Sequence, residues 1–386
     1  MRVNVIHMSF LYSGGGERVV LEQARHLRER GHEVRVYAPI IRWDRCFPEL
    51  LREIYPEHII KPFPTPIFRE ASAMLMSALL PYGIRKLADC DILLCHSQPS
   101  MWIGYKINKL LGIPYVGYLH QLTTFIHKRP EIGENWASQS DFLLLEGLLG
   151  VFGRKVARHL DKMCHTNASR LIFNSVWTRK RFEQEYEVSG DVCYPSVNSS
   201  MLVAGNGERD ETIITASRHY PWKRIDLGLR LLNMISHKPQ FLVVGEYTNH
   251  TAHLKNVVRQ LHLESQVNFT GFVTNTMLLR FLKRSLAYVQ TSICEPFGLG
   301  PVESQCCGTP AVVWGDAGVA ETVLDGETGF HAKPYDLRDY ADKLESLLTP
   351  SDMWRRMSRD AKVWASSFSW DSHMDLLESV LADSIK

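Results

Sequence analysis

Ser285–Phe330 reads SLAYVQTSICEPFGLGPVESQCCGTPAVVWGDAGVAETVLDGETGF, and its alternation of apolar runs and turns decides the fold class. Leu286–Gln290 has strand character. A polar turn follows, then Glu295-Pro296-Phe297-Gly298-Leu299-Gly300. Pro301 stands where a helix can begin, because proline's fixed φ suits the first helical position. Pro310–Trp314 predicts a second buried strand, and Gly315–Gly318 a second glycine-bearing turn. Strand, loop, helix, strand, loop, helix is the unit of a parallel sheet.

Two carboxylates stand out in this stretch, Glu295 in the loop and Glu303 in the expected first turn of the next helix. Gly298 and Gly300 let backbone approach a ligand, and the helix N-terminus behind them offers unpaired N–H groups to an anion. Such a loop can hold a phosphate while the carboxylates accept hydrogen bonds from hydroxyls, which suits a sugar nucleotide. A plainer reading stays open: Glu303 favours the helix dipole and Glu295 is a surface loop residue. Cys294 beside it is a nucleophile or a small buried filler.

Upstream, the same alternation covers most of the chain. Val3–Phe10 predicts a strand, Gly14-Gly15-Gly16 a turn, Glu17–Arg30 a helix closed by Gly31, and Glu33–Ala38 a strand. Strand, three glycines and helix bring backbone close to a ligand, a phosphate for example; tight strand–helix packing is the alternative. The pattern is not G-x-G-x-x-G, and no acid ends the second strand to hold a ribose, which disfavours a dinucleotide dehydrogenase. Pro62, Pro64 and Pro66 mark an extended connector, and Ala71–Leu80 a short apolar helix. Asp91–His96 and Ile113–His120 are strands flanking a helix over Trp102–Leu111. His120 falls at a strand end, where α/β loops build ligand sites, although a lone histidine there also serves structure.

Asp141–Lys162 predicts one long helix, with Arg154, Lys155, Arg158 and Lys162 in its C-terminal half. It is a packed helix with a favourable dipole or an interfacial patch for anionic lipid. Arg170–Ser175 is a strand. Ser199–Glu211 is polar and hinge-like, and Thr212–Ser217 opens a second α/β run. Arg218 and Lys223 follow that strand, and two cations before a helix suit a diphosphate leaving group. Gln240–Gly245 and Val267–Phe272 are further strands. Ser372–Lys386 predicts a last amphipathic helix.

The bulk numbers bound the rest. A chain of 386 residues favours two domains. A net charge of +2 argues against a dedicated nucleic-acid binder. Residues 1–200 carry 25 Lys+Arg against 20 Asp+Glu, so the small positive excess lies in the N-terminal half. No apolar run reaches the ~18 residues that span a bilayer, and no secretory signal pattern precedes the first strand. Eight cysteines without a C-x-x-C pair or metal-ligand spacing imply reduced thiols and a cytoplasmic setting, with no metal site.

E-P-F-G-L-G-P-V-E, then G-T-P-A-V-V and G-V-A-E-T-V-x-D-G-x-T-G-F, resembles the donor-site signature of retaining GT-B glycosyltransferases of family 4. S-G-G-G-E-R-V-V and V-W-T-R-K-R-F extend the resemblance. Two departures are visible: the second loop, usually G-G-x-x-E, reads Asp316-Ala317-Gly318-Val319-Ala320-Glu321, and Arg224 stands where glycine usually follows Lys223.

The resemblance implies two doubly wound Rossmann-like domains facing a cleft. Residues 1–198 would be acceptor-binding, 199–368 donor-binding, and 369–386 a helix returning to the first domain. It implies catalytic roles for Glu295, His120, Arg218 and Lys223. It implies donor contacts from Gly15, Gly16, Phe272, Val273, Phe297, Gly298, Leu299, Gly300 and Glu303. The nucleobase would lie near Phe272 and Val273, the sugar near His120 and Glu295, and the diphosphate on Arg218 and Lys223. The implied reaction is metal- and cofactor-free transfer of a hexose from a GDP- or UDP-sugar to a glycan or lipid-linked acceptor, with mannose as the leading hexose. A GT-B sugar-nucleotide epimerase and a non-catalytic nucleotide-sugar binder are the alternatives. Localisation is expected in the cytoplasm, with peripheral contact at the membrane through Asp141–Lys162.

Overall fold

The computed structural model describes residues 1–59, 84–123, 127, 155–197 and 208–385. They fall into two compact units. The first runs from Met1 to Pro195 and regains the chain at Trp370; the second holds Ser196–Ser369.

In the first unit the strands are β1 (Arg2–His7), β2 (Glu33–Ala38), β3 (Glu57–His58), β4 (Ile92–His96), β5 (Tyr115–Leu119), β6 (Arg170–Phe173) and β7 (Asp191–Val192). They pair in parallel in the order β3-β2-β1-β4-β5-β6-β7. Alternate residues of each strand serve opposite faces. Val3, Val5, Leu94 and Val116 pack under the helices Gly15–Glu29 and Trp370–Ile385. Ile6, Leu93, Cys95 and Leu119 pack against Ser100–Leu111 and Val176–Tyr186. Strands buried on both faces read as unbroken apolar runs, which is why ILLCH and YVGYL were legible.

The second unit repeats the plan with β8 (Thr212–Ala216), β9 (Gln240–Val244), β10 (Val267–Gly271), β11 (Ala287–Gln290), β12 (Ala311–Trp314) and β13 (Gly329–Ala332), ordered β10-β9-β8-β11-β12-β13 and all parallel. Ile213, Val243, Val289 and Val312 face one apolar layer; Ile214, Val244, Tyr288 and Val313 face the other. In both sheets the winding reverses between the first and fourth strands of the unit, at β1/β4 and at β8/β11. Loops leaving adjacent strands there diverge, and the crevice at their carboxyl ends is where ligands bind in such sheets.

The last helix joins the first unit as expected. Arg30 donates to Asp375 at 2.7 Å and Glu378 at 2.6 Å, and His32 contacts Glu378 at 2.6 Å. Met374, Leu377 and Leu381 enter the same apolar layer as Val20, Ala24 and Leu27.

Some boundaries differ from expectation. β1 stops at His7, and Phe10 returns only as a single bridge to Ile41. The first helix begins at Gly15 rather than Glu17, so two of the three glycines lie inside its first turn. The helix expected from Pro301 begins at Leu299, capped by Gly298, which puts Glu303 beyond the first turn. The last begins at Trp370 rather than Ser372. Of the helix expected over Asp141–Lys162, residues 155–162 are helical and the helix continues to 166; residues 141–154 lie outside the described residues. So do the connector at Pro62, Pro64 and Pro66, the helix over Ala71–Leu80, the domain limit at 198 and most of the Ser199–Glu211 hinge.

Candidate active site

Arg218, Lys223 and Glu295 lie on the loops that leave β8 and β11, at the reversal of the second sheet. β8 ends at Ala216, and the chain turns through Arg218 and Tyr220 into a short 3-10 turn, Pro221–Lys223. Proline in that turn fixes a φ compatible with it. Tyr220 and Trp222 stack at 4.4 Å with their rings 9° apart, and the Arg218 guanidinium carbon lies 4.9 Å from the Tyr220 centroid. This stacking holds the cation on the loop.

Arg224 then adopts a left-handed conformation, φ 48° and ψ 38°. Glycine is usual there in the resembling family because left-handed backbone suits a residue without Cβ. The arginine is held there by Asp226, which takes its Nε and Nη2 at 3.0 Å each. Thr291 Oγ1 donates to the Arg224 carbonyl at 2.8 Å. The reversal at residue 224 aims Lys223 at β11.

Lys223 Nζ donates to Glu295 Oε2 at 2.6 Å, and Gln290 Nε2 reaches the same oxygen at 3.3 Å. Side-chain exposures of 21% and 15% leave both ends of the ion pair within reach of a ligand. The Glu295 carbonyl accepts from the Val319 amide at 3.2 Å, which ties the first glycine loop to the second. A cation and a carboxylate separated by 72 positions thus meet where the sheet's winding reverses.

The glycines of the loop have distinct reasons. Gly298 is left-handed, φ 97°, and an added Cβ would lie 2.8 Å from Val319 Cγ2. A Cβ on Gly300 would fall 2.1 Å from the Tyr288 hydroxyl. That hydroxyl is committed: it takes the Ala216 amide at 3.1 Å and reaches the Ala216 carbonyl at 3.2 Å, clasping β8 to β11. Leu299 and Gly300 open the helix. Phe297 is buried and meets Phe368 edge-on at 5.7 Å, so its ring serves packing while its backbone forms the loop. Glu303 is 6% exposed, a rarity for a carboxylate, on the buried side of the helix. Cys294 is buried, as are the seven other cysteines, all of them free thiols.

At the exit of β10, Phe272 is 68% exposed while Val273 packs beside Val244 and Leu282. Sequence reasoning missed Tyr247, half-exposed after β9, whose hydroxyl donates to the Phe269 carbonyl at 2.7 Å.

In the first unit, Gly14 caps the helix that carries Gly15 and Gly16 away from β1. A Cβ on Gly16 would meet nothing within 4 Å, so close packing does not account for this glycine. His120 follows β5, half-buried, with Nε2 3.3 Å from His96 Nδ1. Burial, with repulsion from His373, lowers His120 to about 4, so the ring is neutral at pH 7. Sequence reasoning also passed over His7 and His96, although each ends an apolar run and is followed at once or after one residue by serine. Among the described residues no group of three His, Cys, Asp or Glu is placed to hold a metal ion.

The sequences of both units match known families. Residues 13–200 match the model described as Glycosyltransferase Family 4, and residues 201–364 the one described as Glycosyl transferases group 1. The chain belongs to the family 4 glycosyltransferases. The transferase is 24% identical over 406 residues to a D-inositol 3-phosphate glycosyltransferase of Acidothermus cellulolyticus, covering 97% of this chain and 86% of that one. Its fold matches Anabaena HepE, solved with UDP and glucose, at a TM-score of 0.77 and 20% identity over 99% of this chain and all of the other. It also matches WaaG, a glycosyltransferase of lipopolysaccharide biosynthesis, at 0.70 and 15%, over 98% and 99%. The expected GT-B architecture is therefore the one observed.

Proposed function

We propose that this transferase moves a hexose from a nucleoside diphosphate sugar to an acceptor hydroxyl with retention at the anomeric carbon. The observation that carries the proposal is the Lys223–Glu295 contact at the β8/β11 reversal, beside the capped start of helix Leu299–Cys306. Cleavage of the anomeric C–O bond leaves a diphosphate. Arg218, Lys223 and the amides at Gly298–Gly300 take up that charge as it develops, each contributing on the order of 3 kcal/mol. The acceptor oxygen bonds to the same face of the sugar, and its proton passes to the departing phosphate oxygen.

Glu295 and His120 hold sugar hydroxyls, Glu303 the ribose, and Phe272 and Val273 the base. Gly15 and Gly16 admit phosphate oxygens to backbone. The cations compensate the diphosphate without a metal, so turnover survives a chelator.

The donor is UDP- or GDP-linked. HepE, the fold neighbour, was solved with UDP and glucose, which puts UDP-glucose beside GDP-mannose as the first donors to assay. The acceptor is a glycan or a lipid-linked molecule. A peripheral membrane contact rests on residues 155–162: Lys155, Arg158 and His159 are exposed, with Val156 at 45% and Leu160 at 39%. Basic and apolar groups on one exposed face suit an anionic bilayer surface; failure to cosediment with anionic vesicles at low salt would remove this contact.

The test is a melting panel of UDP, GDP, ADP, dTDP and their sugars. A ligand at 100 times its Kd adds about 2.7 kcal/mol of stability. One base should stand out, and its sugars then enter a turnover assay. No shift with any nucleotide would overturn the reading.

A further inference from the structure

Three neighbouring strands of the first unit each deliver an imidazole to the carboxyl edge of the sheet. The register pairs His7 of β1 with His96 of β4, and His96 with Tyr118 of β5, so His120 lies just beyond them. His7 and His96 are 3% and 0% exposed. The His96 and His120 rings stack at 5.5 Å, 25° apart, and His7 meets His96 edge-on at 6.1 Å. Tyr118 closes the group at 5.3 Å from His96 and 5.1 Å from His120.

The 3.3 Å approach of His96 Nδ1 to His120 Nε2 needs one proton between two nitrogens. Among the described residues no partner reaches the buried His96 Nε2, which favours His96 as the donor. Were Nδ1 the acceptor, the proton of a neutral His96 would sit on Nε2 as a buried N–H with nothing to accept it. With the proton on Nδ1, only a bare lone pair is left at Nε2, and orphaned buried donors are the rarer of the two. Both rings are neutral at pH 7: burial first, then the neighbouring imidazoles, lower His96 well below its ordinary value and His120 to about 4. Ser97 Oγ accepts from the His120 amide at 3.2 Å and fixes the backbone beside the ring.

We propose that His96 is a positioning residue for His120: its Nδ1–H holds His120 Nε2 as an acceptor, sets the plane of the ring and keeps the His120 proton on Nδ1. His120 then presents an N–H donor, suited to a sugar hydroxyl or ring oxygen rather than to taking a proton. This inference rests on the reading of His120 as a sugar-facing residue.

The test is the nitrogen-15 spectrum of the imidazoles in the full chain, with His120 assigned by its loss in His120→Asn. The wild-type ring should show the Nδ1–H tautomer. His96→Phe, which fills the volume without a donor, should return His120 to a mixture dominated by Nε2–H. It should lower kcat by about 10- to 100-fold with donor KM unchanged, the scale of a misoriented group. His96→Asn, whose amide can donate near the Nδ1 position, should restore the tautomer and most of the rate. An Nε2–H His120 in the wild type, or an unchanged tautomer and rate in His96→Phe, overturns the proposal; if His96→Phe does not fold, the wild-type and His96→Asn spectra decide. Should His120→Ala turn over normally while the tautomer still follows residue 96, the sugar-facing role of His120 fails and the positioning by His96 stands.

Discussion

The role proposed for Lys223 and Glu295 is to handle charge at one point rather than to hold the second unit together. Their ion pair is partly exposed, and such pairs contribute at most about 1 kcal/mol to stability. Lys223→Ala should therefore lower kcat by about 10²–10³-fold, the cost of losing one preorganised donor, while the melting temperature moves by only a few degrees. Glu295→Gln keeps the shape and removes the charge, and should do the same. Near-normal turnover in either variant sinks the assignment. Arg224 poses the opposite question. Its left-handed backbone costs a residue with a Cβ about 1 kcal/mol or more, offset here by the Asp226 fork. Arg224→Ala keeps the strain and loses the fork; Arg224→Gly loses both. The glycine variant should be the more stable of the two by about 1 kcal/mol in urea titration, and the reverse order would show that residue 224 is not strained.

At the scale of elements, the loop between β11 and its helix is built around one hydroxyl. Gly300→Ala drives a methyl into Tyr288 and should destabilise the protein by about 1–3 kcal/mol through overpacking. Tyr288→Phe loses the clasp on Ala216. Because the two changes meet at the same atoms, the double variant should be destabilised by clearly less than the two single effects together; simple additivity would place the hydroxyl elsewhere. This element also shows what the sequence could and could not reveal. Glu33–Ala38 was legible to the residue because Val34 and Val36 alternate with the charged Glu33 and Arg35 and the run is buried from Val36 onward. The helix start was misread because Pro301, a familiar opener, sits two residues inside a helix that Gly298 already caps. The histidine group was invisible for a different reason. His7, His96 and His120 are joined by parallel register, a long-range pairing that no local spacing encodes. Lys223 and Glu295 were singled out from their loop positions and from the family's motifs, whereas their pairing follows only from the strand order.

Across the whole molecule, buried neutral histidines make the two units unequal toward acid. Burial is the first cause in each case: His7 is lowered to about 3, His120 and His373 to about 4, and His96 well below its ordinary value, all in the first unit. The second unit has His219, lowered to about 4, and the more exposed His250, also lowered. These groups take up protons on unfolding wherever the pH lies below about 6.5, the value of an unperturbed histidine. The unfolded chain then binds more protons than the folded one, so stability rises with pH through that window and levels off above it. Each unit of displacement is worth about 1.4 kcal/mol, so four such groups are a large fraction of a domain's marginal stability. Hydrogen exchange, corrected for its intrinsic pH dependence, should show β1, β4 and β5 losing protection at pH 5 before β8 and β11. His7→Phe should flatten that dependence at little cost at pH 7, because neither ring nitrogen of His7 has a partner among the described residues. If β8 and β11 open first, or if His7→Phe leaves the slope between pH 6.5 and 4 unchanged, these histidines are not what acid acts upon, and the carboxylates that accept from Arg30, Arg284 and Lys343 become the groups to titrate.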